Sequence, residues 1–303
     1  MIQHILVPLD GSRLAEAALP VAMGLAAQLR TRVTLLHIIE QNAPASVHGE
    51  PHLTTAAAAH TYLTAAVARV ADITVTPEVH VHNDPTPNVV QSIVAHAQEL
   101  AADLIVICSH GGNSVQKRLF GSIAQAVVAH GGTPVLLVNP ETVTPDFHCT
   151  QLLVALDGNH EHEAGLHMAA EMAQTCHAQL DLVLVIPTRT TLLPTQAVTG
   201  RLLPQATTAF LDSLAESGLV YLEEKQLEFA DSGLEISCTV QRGDPAEAIA
   251  ATAAANNTDL IVLATHGKGN LDAFWSGSVT PRLVAGVRWP LLLVPVEGGE
   301  SQG

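Results

Sequence analysis

Basic residues are scarce in this 303-residue chain: 13 Lys and Arg stand against 29 Asp and Glu, for a formal charge of −16. A nucleic-acid surface needs clustered cations to neutralise phosphates, so this balance argues against a nucleic-acid partner. Any bound phosphate has to be held mainly by backbone groups and dipoles. Cysteine is confined to four scattered positions, Cys108, Cys149, Cys176 and Cys238, with no Cys-x-x-Cys pair. That usage fits a reducing compartment better than a disulfide framework. Long apolar runs are also missing. Although 48% of residues are hydrophobic and the mean hydropathy is +0.28, every run meets a charge, Pro, Gly or His before it reaches membrane-spanning length. The opening stretch, MIQHILVPLDGS, has neither the basic nor the apolar region of a signal peptide and reads as a first strand. The expectation is a cytoplasmic chain with no membrane partner, long enough for two domains of ordinary size.

What the sequence does contain is one stretch written twice. LIVICSHGGNSVQKRLFGS, Leu104 to Ser122, returns as LIVLATHGKGNLDAFWSGS, Leu260 to Ser278. Each copy is a short β-branched and apolar run that reads as a buried parallel strand. It breaks at Cys108 or Ala264, passes Ser109-His110 or Thr265-His266, and reaches Gly111 or Gly267. After nine intervening residues comes Gly121-Ser122 or Gly277-Ser278, opening another helix. Glycines let backbone N–H groups approach an anion, and the free N–H groups at a helix start face it with partial positive charge. The pattern outlines a phosphate site.

The remaining chain repeats on the same scale. Ile5 to Leu9 is a strand that turns at Asp10-Gly11-Ser12 into a helix whose face is Leu14, Ala18, Val21, Leu25 and Leu29. Val33 to Ile39 reads as the second strand, Leu53 to Val70 as a helix and Ile73 to Val81 as the third strand. Asp84-Pro85-Thr86-Pro87 bars a helix before the face Val89, Val90, Ile93, Val94, Ala97. Val135 to Val138 is the last strand of this half. ILVPLDGS then reappears as LLVALDGN, pairing Asp10 with Asp157 and Glu16 with Glu163, while the later landmark pairs Asp103 with Asp259 and His110 with His266. The second half is nine residues longer between these landmarks, which places a longer loop and helix between Pro187 and Phe229. Alternating strands and helices imply a parallel sheet covered on both faces. The division is a first domain at 1–140, a linker at 141–150 and a second domain at 151–303, from a gene duplication.

ILVPLDGS at the first strand, LLHIIE at the second, GDPAEAI at 243–249 and the paired glycine loops resemble the universal stress protein family in its tandem form. The resemblance implies an α/β fold of two open parallel five-stranded sheets, each in strand order 3-2-1-4-5 with helices on both faces. It puts a crevice at the switch point between the first and fourth strands. It further implies an adenine and ribose site at Pro8, Leu9 and Asp10, with Ile38 lining the adenine pocket and Gly111, Gly121, Ser122 and Ile123 holding phosphates. The second-half equivalents are Ala155, Leu156, Asp157, Val185, Gly267, Gly277, Ser278 and Val279. Cys108 and Ala264 stand where ATP-binding members carry the first glycine of the loop, His110 and His266 are common parts of that loop, and Lys268 is expected to be within reach of a terminal phosphate.

Each of these signals has a plainer counterpart. Asp10 and Asp157 also suit helix caps. His110 and His266 lack an evident nucleophile or carboxylate partner, so a structural role outweighs a catalytic one and no catalytic residue is assigned. His48-Gly49-Glu50-Pro51-His52 offers at most three metal ligands, one short of a closed zinc site, and Gly49 and Pro51 favour a turn, so no metal site is assigned there. His160 and His162, two apart near a helix start, read as solvated. Trp275 and Phe274 read as packing residues. The expected function is a nucleotide-responsive stress regulator binding ATP, AMP or ADP, with Mg2+ or Mn2+ shared between phosphates and protein oxygens. Hydrolysis, if any, is weak, since no general base is evident. Expected partners are the two halves for each other through their last strands, and a second copy in a homodimer. The alternative is a scaffold that binds no nucleotide, and an ATP pyrophosphatase is disfavoured because its Gly-rich first turn is absent.

Overall fold

A computed structural model gives the architecture and describes residues 1–70, 74–109, 121–192, 202–266, 279–286 and 288–296. The first half runs β1 (His4–Pro8), α1 (Arg13–Glu16), α2 (Ala18–Leu29), β2 (Arg32–Glu40), β3 (Ser46–Val47), β4 (Glu50–Pro51) and α3 (Ala56–Arg69). It continues with β5 (Glu78–Thr86), α4 (Val89–Glu99), β6 (Leu104–Cys108), α5 (Ser122–His130) and β7 (Val135–Val138). The second half runs β8 (Gln151–Leu156), a 3-10 turn (His160–Glu163), α6 (Ala164–Cys176), β9 (Gln179–Ile186) and α7 (Pro204–Glu228). After a short 3-10 turn it closes with β10 (Ile236–Arg242), α8 (Pro245–Ala255), β11 (Leu260–His266), α9 (Val279–Gly286) and β12 (Leu291–Val296).

Leaving aside the small β3–β4 hairpin, each half has the order third, second, first, fourth, fifth strand, all parallel. The expectation of two separate sheets needs one correction. β7 and β12 pair antiparallel, with Leu137 opposite Leu291 and Val135 opposite Leu293, so the halves share one ten-stranded sheet. Each is the outer strand of its half, with a row of N–H and C=O groups that would otherwise go unpaired, and the ladder satisfies both rows.

Alternation along the strands sorts side chains onto the two faces. Ile5 and Val7 of β1 with Leu104 and Val106 of β6 enter one apolar layer, beneath α2, α3, α6 and α7. Leu6, Ile105 and Ile107 enter the other, beneath α4, α5, α8 and α9. Both layers contain residues from both halves.

The segment read as a linker is packed. Phe147 and Cys149 are buried, and the Gln28 amide brackets Cys149, accepting from its N–H at 2.8 Å and donating to its C=O at 3.1 Å. A Cβ on Gly24 of α2 would lie 2.1 Å from the Phe147 carbonyl oxygen, so only glycine lets the chain pass this close. The repeat also holds at β1 and β8. Asp103 accepts from the N–H groups of Gln3 and His4, and Asp259 from those of Thr150 and Gln151.

The third strand is displaced from its expected place. β5 begins at Glu78 and runs through Pro85 to Thr86, while 71–73 lie outside the described residues. A proline is tolerated here because β5 is an edge strand and its register with β2 shifts between Ile38 and Glu40.

Candidate functional site

At the carboxyl ends of β1 and β6, where the connections diverge to opposite faces of the sheet, a cavity of about 280 Å³ opens. Pro8, Leu9 and Asp10 leave β1 along one side. Leu36, His37, Ile38 and Glu40 of β2 form a second side, and Ile107 and Cys108 of β6 a third. Gly121, Ser122 and Ile123 open α5 at one end, Val89 and Ile93 of α4 close the apolar flank, and Val47, His48 and His52 arrive from the hairpin. Eight of the residues singled out from the sequence thus share one lining: Pro8, Leu9, Asp10, Ile38, Cys108, Gly121, Ser122 and Ile123. His110 and Gly111 lie outside the described residues.

Gly121 caps α5 without a side-chain bond, so the first N–H groups of that helix receive nothing from the cap and are placed to meet an acceptor. The Gly121 N–H itself donates to the Ser109 carbonyl at 2.7 Å, which fixes the helix start against the end of β6. The Cys108 thiol is turned onto the Leu14 carbonyl at 3.1 Å and the Ala15 carbonyl at 3.5 Å. Burial pushes it up to about 12, so it stays a neutral, unreactive thiol.

The cap reading of Asp10 and Asp157 is corrected. Ser12 caps α1, its Oγ accepting from the Ala15 N–H, and Asn159 caps the 3-10 turn, accepting from the Glu161 N–H. The aspartates stand two residues earlier and accept from the capping residues' own N–H groups, at 2.9 Å from Ser12 and 3.0 Å from Asn159. These are Asx turns, in which a short carboxylate satisfies the backbone two residues on. The Ser12 hydroxyl also donates to Asp10 at 2.6 Å.

Several of the cavity's polar groups are histidines that the sequence reading left without a role. His37 is buried, with Nδ1 at 2.7 Å from the Leu9 carbonyl. Burial holds its ionisation below the ordinary imidazole range. His48 and Gly49 both carry positive φ, 50° and 86°, as a two-residue I′ hairpin turn requires. The His-Gly dipeptide was therefore the signal for this hairpin. Its ionisable groups diverge to separate partners. His48 Nε2 lies 3.4 Å from Asp10, Glu50 accepts from the Arg13 N–H at 2.6 Å, and His52 Nε2 lies 3.8 Å from Glu40. Among the described residues no three His, Cys, Asp or Glu groups converge to hold a metal ion.

In the second half, Ala155 and Leu156 end β8, Asp157 follows, Val185 lies in β9, Ala264 in β11, and Val279 opens α9. His266 closes β11, while Gly267, Lys268, Gly277 and Ser278 lie outside the described residues. His162 departs from its expected solvated state. Its Nδ1 meets Asp157 at 2.6 Å and its side chain is only 16% exposed, whereas His160 is 79% exposed. The 3-10 turn, tighter than an α-helix, swings His162 back over the aspartate.

The protein-family comparison agrees with this geometry. Residues 1–139 and 149–295 each match the model of the universal stress protein family. This chain belongs to that family. Stress response protein NhaX of Bacillus subtilis (strain 168) is 26% identical over 163 residues, 45% of this chain and 96% of that protein. A putative universal stress protein of Staphylococcus aureus (strain USA300) is 28% identical over 153 residues, 48% of this chain and 89% of that protein. Among solved structures, a universal stress protein from Archaeoglobus fulgidus DSM 4304 shares the fold with a TM-score of 0.65 at 17% identity, over 97% of this chain and 98% of that one. A putative universal stress protein from Pseudomonas aeruginosa UCBPP-PA14 does so with a TM-score of 0.63.

Proposed function

We propose that this chain is a cytoplasmic, ATP-binding stress regulator whose first-half cleft holds the nucleotide. The observation that carries the reading is the single cavity lined by Pro8, Leu9, Asp10, Ile38, Gly121, Ser122 and Ile123. Those residues come from three separate segments and meet where open α/β sheets bind ligands. The apolar wall of Ile38, Val89 and Ile93 suits a purine face, the Asp10 carboxylate suits the two ribose hydroxyls as hydrogen-bond donors, and the opening turn of α5 suits phosphate oxygens. With a net charge of −16, the anion is held by backbone N–H groups rather than by a lysine cluster. A magnesium or manganese ion fits this lining through nucleotide oxygens and water, because Asp10 is already engaged by Ser12 and His48. The two halves are proposed as separate domains joined by 141–150, with the second-half residues Ala155, Leu156, Asp157, Val185 and Val279 forming an equivalent site.

A second reading, a scaffold that binds no nucleotide, is favoured by Cys108 in the glycine position and by the prior engagement of Asp10. Mass spectrometry of small molecules released from the purified chain separates the two. Released ATP, ADP or AMP supports the first reading. Protein that releases no nucleotide and gives no heat with ATP or AMP leaves the scaffold.

A further inference from the structure

The β3–β4 hairpin covers the cleft yet belongs to neither sheet edge. It forms its own two-stranded sheet, Ser46 opposite Pro51 and Val47 opposite Glu50. Among the described residues, the backbone hydrogen bonds outside helices and strands include none from 46–51 to the ten-stranded sheet. What fastens it is charge at the rim: His48 to Asp10, Glu50 to the Arg13 N–H, and His52 to Glu40. Leu53, just beyond it, packs against Gly11. The His48 contact lands on the carboxylate that the nucleotide reading gives to the ribose, and that carboxylate's other oxygen is taken by Ser12. The second half places an imidazole on its own aspartate by a different route, from the 3-10 turn beside it. The same pair is reached twice from unrelated local sequence, which marks the contact as more than an accident of one loop.

We infer that the Ser46–Pro51 hairpin is a lid latched by His48 onto Asp10, tightened by protonation of the imidazole, and released when a ligand's hydroxyl pair takes the carboxylate. This rests on the nucleotide reading of the cleft. An imidazole changes charge between about pH 5 and 8, so the latch is an ion pair on the acid side and a weaker contact on the alkaline side. Other ionisable groups line the same rim. Asp10, Glu16, Glu40 and Glu50 are acidic, Arg13 offers its N–H to Glu50 while its guanidinium faces Glu16, and the Tyr62 hydroxyl and Cys108 thiol are held neutral by burial. His37 and His52 are the imidazoles that oppose a charge on His48, and burial keeps His37 neutral. The flank from α4 and α5 contributes Val89, Ile93, Ser122 and Ile123, none of which titrates.

The test uses the full chain without nucleotide. Hydrogen exchange of 46–52, referenced to β1 amides, is measured at about pH 6.5 and about pH 8 for wild type, His48→Gln and Asp10→Asn. The expected result is hairpin protection about threefold greater at the lower pH in wild type, with that increment lost in both variants. An identical pH response in all three proteins, or greater protection at the higher pH, overturns the latch. Calorimetric titration with ATP then separates the two readings. His48→Gln binding about threefold tighter than wild type at the lower pH, and equally at the higher, supports the lid. Weaker binding at both pH values makes His48 a ligand contact and overturns it. If none of the proteins binds ATP while the exchange difference persists, the latch stands and the nucleotide reading falls.

Discussion

Two glutamates at corresponding places in the repeat show how far the halves have diverged beneath one topology. In the first half, Glu16 receives the Arg69 guanidinium at 2.6 and 3.1 Å, with Arg69 about a third exposed. In the second, Glu163 receives Lys225 at 2.9 Å, Tyr221 at 2.9 Å and His160 at 2.8 Å, and the Lys225 side chain is only 8% exposed. Burial pushes Glu163 up, but the bonds from Lys225, Tyr221 and His160 outweigh it and hold the carboxyl below its ordinary value. The longer α7 makes the difference, because its 25 residues carry Tyr221 and Lys225 back over the start of α6. The two carboxylates are equally covered, each 11% exposed, so the contrast lies in their partners: without Arg69, Glu16 keeps Arg13 at 3.6 Å, whereas without Lys225, Glu163 keeps Tyr221 and His160.

The largest effect that bears on this comparison should come from the segment joining the halves. Gly24→Val pushes the Phe147 carbonyl off α2 and is expected to cost about 3 kcal/mol. Thermal unfolding of the variant should therefore begin well below that of wild type. Next, Lys225→Ala takes the covered cation from Glu163 and is expected to cost about 2 kcal/mol. Arg69→Ala, by contrast, removes a partly exposed pair worth about 0.5 kcal/mol. Denaturant midpoints of the two variants measure the contrast directly, and equal shifts would show that the second cluster is as solvated as the first.

Smaller again is a difference in acid response. His4, His37 and His96, all in the first half, are held below the ordinary imidazole value chiefly by burial, against the pull of neighbouring carbonyls and carboxylates. The native state therefore takes up protons later than the unfolded chain, so stability is full above about pH 6.5 and falls as pH drops below it. The lowered Glu163 of the second half contributes stability above about pH 4.5 that is lost only below that value. Hydrogen exchange mapped along the chain should show first-half strands loosening at a higher pH than second-half strands. Simultaneous loosening would contradict this assignment.

Much of this was readable in the residues. The strand–Asp-Gly-Ser turn at Ile5 to Ser12 and its copy at Leu152 to Asn159 gave the repeat, because backbone-satisfying turns are written in short local motifs. The buried central strands were legible for the same reason, as runs of Leu, Ile and Val. Less visible were features set by distant partners. Nothing nearby in sequence couples the edges of β7 and β12, so pairing through the last strands was expected from the family resemblance alone, and the single merged sheet was not. Phe147 reads as loop until the glycine gap in α2 accepts it. β5 hides behind Pro85, which only an edge position permits. The cleft shows the same division: the residues at strand ends and at the start of α5 were foreseen, while His37 and His52 were not. An imidazole in a strand or after a turn carries no local sign of which cavity it will line.

The most direct test of the account is calorimetric titration of the full chain with ATP, comparing wild type with Gly121→Val, which places a branched side chain at the opening of α5. The account predicts saturable ATP binding by wild type, loss of the first-half component in the variant, and unchanged thermal unfolding without nucleotide. Identical titrations for the two proteins, with both folded, would contradict the assignment of phosphate to that helix start.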